Sequence, residues 1–244
     1  MRAAIPQERT PGSVEIPVHF HILTNAAGTE GNISNDDVQR QIDVLNEAYA
    51  GRGPGGTGAP TPFKFRLADK DPIDRTPSDA WFNMTYSDVP SDVERDAKKA
   101  LNKGDKSTLN IYTANLGDDT LGWARWPWEI PIGVDGVVIL YKTVPGGAIE
   151  HYNMGDTATH EVGHWLGLFH TFEGGCDDPG DEVDDTAAER SPASGCPGAR
   201  DTCPIQGGGD PVDNFMDYSN DACMFKFTAG QSSRMDAAHI RYRK

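Results

Sequence analysis

Apolar and polar residues alternate with a period of two near the start of the chain, which predicts a strand over residues 13–23. Its apolar face carries Val14, Ile16, Val18, Phe20 and Ile22. The opposite face carries His19 and His21. We expect that second face to be solvated. Two histidines on one strand face can bind a metal, but such pairs are more often ordinary surface residues. We therefore assign His19 and His21 no ligand role.

Apolar positions at a spacing close to 3.6 residues predict helices further along the chain. The first covers residues 34–49, with Ser34 as its N-cap and acidic residues in its first turn. Others are predicted over residues 91–101 and 154–168. A last helix starts near Thr228 and carries Met235 and Ile240.

Short apolar runs predict further strands over residues 63–67, 109–113 and 136–142. The last of these is strongly apolar, so we expect it to be buried on both faces. After His170 the regular patterns stop for about fifty residues, which is uncommon unless function or cross-links hold such a segment.

The composition excludes several classes of partner. The chain has 244 residues and carries 37 acidic against 22 basic side chains, a formal net charge of −15. This balance argues against nucleic acid, which needs a basic face, and against an anionic membrane surface. The longest apolar runs are too short to cross a bilayer.

Four cysteines lie in the last third of the chain, at Cys176, Cys196, Cys203 and Cys223. They form no CxxC pair, which weakens a thiolate metal site or a redox motif. An even number in a loop-rich region predicts two disulfides and hence an oxidising, extracellular location. Four free thiols in a cytosolic protein are the alternative, and spacing alone leaves three disulfide connectivities open.

The segment that carries chemistry has the pattern HExxHxxGxxH. His160 and His164 are four residues apart, so on a helix they lie on one face and can bind one Zn²⁺. Glu161 borders the same metal and is placed to act as a general base on a water molecule.

The third histidine of the pattern requires the helix to end. If the helix continued, His170 would be rotated by about 240° and raised by about 9 Å relative to His164. Gly167 lies between the two and can adopt the left-handed conformation that terminates a helix, which returns His170 to the metal. Three histidine ligands leave one coordination position open, which is typical of a catalytic zinc site.

Because it carries this motif, the chain resembles the metzincin metallopeptidases. It resembles their pappalysin branch more closely, which includes secreted ulilysin-like enzymes. The resemblance rests on residues 163–172, on residues 136–139, on the segment 214–219 and on the FTxGQ pattern at 227–231. Met216 corresponds to the methionine of the turn beneath the metal in that family. The similarity extends over most of the chain from Val14 onward and is loose in the N-terminal half.

The resemblance implies a mixed α+β catalytic domain over residues 1–244. Its N-terminal subdomain, residues 1–170, would hold a twisted mixed sheet and two long helices and end in the zinc motif. Its C-terminal subdomain, residues 171–244, would be irregular and stapled by Cys176–Cys203 and Cys196–Cys223. Tyr218 would lie beside the zinc and stabilise the oxyanion.

An acidic loop provides a second candidate metal site. Residues 173–189 contain eight acids and no lysine or arginine, and such crowding is repulsive unless a cation offsets it. Family members carry calcium in this region, so the resemblance implies a structural Ca²⁺, for which a solvated acidic loop is the alternative. The candidate ligands are Asp181, Asp184, Asp185 and Thr186.

These observations predict a secreted, monomeric zinc endopeptidase that binds protein substrates along residues 121–126. Trp123 and Ala124 are candidate substrate-binding residues, whereas the tryptophans at 123, 126 and 128 either line subsites or only pack. Some relatives prefer Arg or Lys after the cut. Asp217 and Asp221 are acids near such a pocket in the sequence, which does not decide between them, and we include Asp221 among the candidate substrate-binding residues. A non-catalytic extracellular module that binds zinc or calcium is the main alternative.

Overall fold

The computed structural model describes residues 9–53, 55–117, 119–129 and 132–244. The strands within these residues are β1 (Val14–Thr24), β2 (Phe63–Leu67), β3 (Ile73–Pro77), β4 (Leu109–Ala114), β5 (Gly122–Trp123) and β6 (Val137–Leu140). The α-helices are α1 (Asn35–Tyr49), α2 (Asp79–Phe82), α3 (Asp92–Leu101), α4 (Asp156–Trp165) and α5 (Ala229–Ala238).

The described strands form one mixed sheet with β1 near its centre. The order is β2-β1-β4-β6-β5, and β3 pairs with the later part of β1 beyond the end of β2. All pairs are parallel except β5–β6. The parallel arrangement follows from the helices that alternate with the strands and cover the sheet. Because β5 is antiparallel and two residues long, it leaves a short outer edge along the sheet.

Two apolar clusters cover the two faces of the sheet. The larger one packs β1, β4 and β6 against α1 and α4 and includes Phe20, Leu45 and Val162. The smaller one lies on the other face, against α3, and includes Tyr112 and Trp123. All four residues of β6 are buried, as their unbroken apolar run predicts. The mixed α+β architecture that the resemblance implies is therefore confirmed.

The helix ends follow from local chemistry. Ser34 caps the start of α1, as the sequence predicts, and the structure adds a reciprocal capping box with Asp37. Helix α4 begins after Gly155, whose φ of 100° places it in the left-handed region, and ends at Trp165. Gly167, with a φ of 94°, then turns the chain away from the helix axis.

The expectation that His19 and His21 lie on a solvated face is wrong. Both are buried, because the smaller apolar cluster and α3 cover that face of the sheet. The ring of His21 stacks on Tyr112 and lies between Asp74, 2.9 Å from Nδ1, and the Asn110 side-chain oxygen, 2.8 Å from Nε2. Its two nitrogens are thus engaged in structural hydrogen bonds.

The C-terminal part of the chain is mostly irregular and is cross-linked. Disulfides join Cys176 to Cys203 and Cys196 to Cys223, the pairing that the resemblance implies. Helix α5 starts at the Thr228 cap and carries Met235, whereas Ile240 lies in a π-helical turn after it. Within the described chain, none of the helices is both long and apolar enough to cross a membrane.

Candidate metal centre and active site

The three histidines of the motif converge at the end of α4. Their Nε2 atoms are 3.0 Å apart for His160 and His164, 3.0 Å for His164 and His170, and 3.2 Å for His160 and His170. Ligands of a tetrahedral Zn²⁺ at about 2.05 Å would be separated by about 3.3 Å, which is close to these distances. Among the described residues, this triad is the group of His, Cys, Asp and Glu side chains close enough together to hold a metal ion.

The hydrogen bonds of Nδ1 in His160 and His164 determine which tautomer each ring adopts. His160 Nδ1 lies 2.7 Å from the Phe215 carbonyl oxygen, and His164 Nδ1 lies 2.7 Å from the Leu168 carbonyl oxygen. A carbonyl can only accept, so each Nδ1 carries the hydrogen and each Nε2 presents a lone pair. Lone pairs that converge in this way repel each other unless a cation lies between them, so the residues present fit zinc.

Burial keeps these imidazoles neutral. It lowers the pKa of His160 to about 4 and that of His170 to about 3, and it lowers the pKa of His164 well below its usual range. Neutral imidazole is the form that binds zinc. The site is therefore prepared for a metal at neutral pH without first losing a proton.

Met216 lies directly under the zinc helix. Its side chain is fully buried, and a Cβ added to Gly163 would approach the Met216 sulfur to 2.5 Å. Residue 163 must therefore be glycine for the turn to pack this closely. The turn is itself braced by Asn214 and Gln231, whose side-chain amides hydrogen-bond reciprocally at 2.8 and 3.0 Å.

Glu161 lies on the cleft side of α4, next to the triad. Burial raises the pKa of Glu161 to about 8, although the positive charge of Lys98 acts in the opposite direction. Its Oε2 has no hydrogen-bond partner among the described residues and is free to engage a water molecule or a substrate. Gly122 of β5 approaches closely, since a Cβ there would be 2.9 Å from Cγ of Glu161.

Tyr218 closes the site from the C-terminal part of the chain. Its hydroxyl lies 3.1 Å from His170 Nε2, and its side chain is half exposed. Burial of the phenol and the nearby charge of Glu161 raise the pKa of Tyr218 to about 12. The phenol therefore keeps its proton at neutral pH and is available as a hydrogen-bond donor.

These residues line one open cleft of about 1000 Å³. The predicted substrate-binding residues Trp123, Ala124 and Asp221 also line it. Trp123 is mostly buried, because its ring turns into the smaller apolar cluster. Trp126 stacks on Trp128 with 5.4 Å between ring centroids.

One end of the cleft is acidic. Asp221 and Asp156 are both buried there, at the start of α4. Burial raises the pKa of Asp221 to about 6, although backbone N–H groups of residues 154–156 partly offset it. Its Oδ2 accepts from the Met154 N–H at 2.8 Å, while Oδ1 has no partner among the described residues.

The four predicted calcium ligands are only partly brought together. The Thr186 hydroxyl lies 2.7 and 2.8 Å from the two carboxylate oxygens of Asp181. Asp185 is engaged elsewhere, because it accepts from the Thr228 hydroxyl and the Gly230 N–H at the start of α5. Asp184 is exposed.

The sequence does not single out three residues around the cleft, although Arg125 falls within the predicted substrate segment 121–126. Tyr86 lines its rim, and Glu94 and Arg125 form a buried ion pair behind it. No local motif marks them, since Glu94 and Arg125 are 31 positions apart in the chain. An acid and a base at unrelated positions within helical and loop segments give no signal before the fold is known.

Comparison with known proteins agrees with this geometry. Residues 145–239 match the family model described as pregnancy-associated plasma protein-A. An extracellular metalloprotease of Sordaria macrospora is 40% identical over 95% of this chain and 76% of its own length. One of Colletotrichum graminicola is 43% identical over 94% of this chain and 78% of its own length.

A solved structure is similar over nearly the whole chain. It is mature mirolysin of Tannerella forsythia in complex with a cleaved peptide, which is 34% identical and has a TM-score of 0.77. The match covers 91% of this chain and 90% of the mirolysin chain. With the histidine triad, the methionine turn and these relatives in agreement, the chain belongs to the pappalysin family of metalloproteases.

Proposed function

We propose that this metalloprotease is a secreted zinc endopeptidase in which Glu161 is the general base. The observation that carries the proposal is the convergence of three imidazole Nε2 atoms within 3.2 Å of one another, beside Glu161 in an open cleft. A purely structural zinc site has no use for an acid whose oxygen lacks a partner. Relatives named extracellular metalloproteases support the secreted location.

The steps of peptide hydrolysis are assigned to side chains that line the cleft. Bound at the triad, zinc would polarise the scissile carbonyl and lower the pKa of a water molecule. Glu161 accepts a proton from the attacking water and then donates it to the leaving amine. The positive charge of the metal would lower the pKa of Glu161 from its raised value, so that the carboxylate form is available.

Tyr218 supplies the second contact to the reacting group. Its hydroxyl lies beside His170 and retains its proton, so it can donate a hydrogen bond to the carbonyl oxygen as negative charge develops there. Because Tyr218 is half exposed, its ring has room to move between the metal ligands and the substrate.

The substrate is an extended peptide that adds to the free edge of β5. Strand addition uses backbone hydrogen bonds and therefore accepts many sequences. Mirolysin, the similar protein, has been solved with a cleaved peptide, which supports a peptide in this cleft. Ala124 lies on the cleft side of the edge, and Trp123 forms its back.

Asp221 would favour Arg or Lys after the scissile bond. Its free Oδ1 and the neighbouring Asp156 make the end of the cleft at the start of α4 acidic. A cationic side chain that enters this end would offset the cost of keeping two buried carboxyl groups close together. Cleavage of a peptide library measures the preference for the residue after the scissile bond. A preference for bulky apolar residues at that position would contradict a role of Asp221 in binding Arg or Lys.

We also propose a structural Ca²⁺ at Asp181 and Thr186. The Val183 carbonyl lies 2.8 Å from the Thr186 hydroxyl, so three kinds of oxygen ligand meet there. Asp185 is a weaker candidate because it is used by α5. Calorimetric titration of metal-free protein with Ca²⁺ tests the site, and the Asp181→Asn variant should lose the binding.

The experiment that tests the function is casein cleavage by the purified protein, with and without a zinc chelator. We expect cleavage that the chelator abolishes and added Zn²⁺ restores, with the protein monomeric in size-exclusion chromatography. A non-catalytic zinc or calcium module would bind metal without cleaving casein. Persistent cleavage in the chelator would exclude the zinc mechanism.

A further inference from the structure

A single buried carboxylate lies behind the edge strand and joins it to the rest of the fold. Glu94, in the first turn of α3, is fully buried and meets three donors, one from its own helix and two from residues 123–125. The Lys98 ammonium lies 2.9 Å from its Oε1, and the Trp123 indole N–H donates to Oε1 at 3.1 Å. The Arg125 guanidinium donates to both oxygens, at 3.1 and 2.5 Å.

Arg125 continues this network to the cleft rim. Its remaining N–H groups donate to the carbonyl oxygens of Ser87 and Asp88 at 2.8 and 3.0 Å. Its guanidinium also lies over the ring of Tyr86, 5.8 Å from the centroid, and Tyr86 lines the cleft. Glu94 thus holds, through one side chain, both the edge strand and the loop that carries Tyr86.

The edge strand needs such an anchor because its own pairing is minimal. Among the described residues, Gly122 and Trp123 alone pair with β6, and one further bond joins the Leu140 N–H to the Leu121 carbonyl at 2.7 Å. Trp123 and Arg125 both donate to Glu94, so their side chains lie on the same side, toward α3. On the other side, Gly122 faces Glu161.

We propose that Glu94 is a positioning residue for peptide binding, which holds the backbone of residues 121–125 and the Tyr86 rim in the geometry that a substrate strand requires. This inference rests on the proposed function, since it assumes that the peptide adds to β5. A preorganised edge binds an extended peptide without first being ordered, so the entropy cost of ordering the template is avoided.

The charges of Glu94, Lys98 and Arg125 hold these side chains together. Burial raises the pKa of Glu94, but Lys98 and Arg125 outweigh it and lower that pKa to about 2, so the carboxylate stays ionised. Two buried cations share this one anion. Removing its charge leaves Arg125 buried without its anionic partner, hydrogen-bonded only to the Ser87 and Asp88 carbonyls among the described contacts, whereas Lys98 still feels the charge of Asp135.

A second buried acid offers a matched control. Asp135 also pairs with an arginine, Arg243, and accepts a hydrogen bond from a tryptophan indole, that of Trp165, at 3.2 Å. It lies behind the C-terminal end of α4 and, in the described contacts, touches neither β5 nor the Tyr86 loop, although its charge also acts on Lys98. Glu94→Gln and Asp135→Asn therefore remove the same kind of interaction at two places.

The test compares peptide kinetics in the two variants. We expect Glu94→Gln to raise KM for a peptide of eight or more residues by about tenfold while kcat stays within about threefold. Inhibition by acetohydroxamic acid, a small zinc ligand that does not reach the edge strand, should be unchanged. Asp135→Asn should lose stability without raising KM, and Glu94→Asp should recover part of the affinity.

Amide hydrogen exchange supplies a readout that does not need activity. Residues 121–125 should exchange faster in Glu94→Gln and at the wild-type rate in Asp135→Asn. If Glu94→Gln fails to fold, Arg125→Lys serves instead, because lysine keeps the charge but cannot reach Glu94 and both carbonyls together. An unchanged KM and unchanged exchange in these variants would overturn the proposal, as would an equal rise of KM in Asp135→Asn. Failure of the proposed function would be recognised separately, since the wild type itself would then cleave no peptide.

Discussion

The sheet half of the molecule and the segment of residues 171–244 use different interactions to reach the same cleft. In the first, apolar side chains from β1, β4, β6, α1 and α4 form a continuous core. The second contributes Phe215 and Met235 to this core and is held in addition by two disulfides and by ion pairs to buried acids, such as Arg200 with Glu189 and Asp210. The two halves meet at the methionine turn, where Met216 packs under Gly163.

The two parts of the chain also supply different residues to the site. The regular half supplies His160, Glu161 and His164 from one helix, where the spacing of ligands is set by helix geometry. The irregular segment supplies Tyr218 and Asp221, which line the cleft. We infer that the first half supplies the groups on which the reaction depends and the edge strand for the peptide backbone, and that the second adjusts the rate and the choice of peptide.

The largest expected effect comes from the regular half. Glu161→Gln removes the group that accepts the proton but keeps the side-chain size, so kcat should fall by about a thousandfold or more. Zinc content, measured by plasma emission spectroscopy, should remain one ion per chain. Near wild-type cleavage by this variant would refute the assignment of the base.

The next effect concerns the irregular half, where the two disulfides allow a matched comparison. Each spans 27 positions, so loss of either should lower the free energy of unfolding by about 3 to 4 kcal/mol on chain-entropy grounds. Paired Cys→Ser variants and denaturant unfolding measure this. Only loss of Cys196–Cys223 should also raise KM, because Asp221 lies two residues before Cys223; equal KM values in the two variants would contradict the division.

Tyr218→Phe should have a smaller effect. It removes one hydroxyl donor and leaves the ring, so kcat should fall by about a hundredfold with little change in KM. Steady-state kinetics on one peptide suffice. A fall in affinity with an unchanged kcat would show that Tyr218 binds the substrate and does not stabilise the developing charge.

The smallest effect is on specificity. Asp221→Asn should reduce the preference for Arg or Lys over Leu after the cut by about tenfold. Because burial raises the pKa of Asp221 to about 6, its carboxylate is ionised above that pH and neutral below it. The preference of the wild type should therefore weaken as the pH falls from 7 to 5, and that of Asp221→Asn should not. A preference that is constant over this range would remove Asp221 from the pocket.

The features that the sequence predicts well are local ones. The strand and helix periods, the Ser34 cap and the turn at Gly167 depend on neighbours in the chain, and the structure has them. The convergence of His160, His164 and His170 follows from helix geometry and one glycine. These features are determined within a dozen residues.

The features that the sequence does not reveal depend on distant packing. Burial of His21 requires α3 to cover a sheet face that alternation alone leaves open. Asp185 accepts a hydrogen bond from Thr228, the cap of α5, which lies 43 positions away in the chain. The sequence of an acidic cluster does not show which of its carboxylates will bind a distant helix cap in this way. β3, whose residues are IDRTP, has no apolar alternation and forms because β1 offers an unpaired edge there.

Metal analysis combined with peptide cleavage tests the central claim most directly. We expect one zinc ion per chain in the purified protein, loss of cleavage when a chelator removes it, and recovery of both on addition of Zn²⁺. In His170→Ala, zinc should be lost or bound far more weakly, because two imidazoles remain. Full cleavage by protein that contains no zinc, or tight zinc binding without His170, would contradict the account.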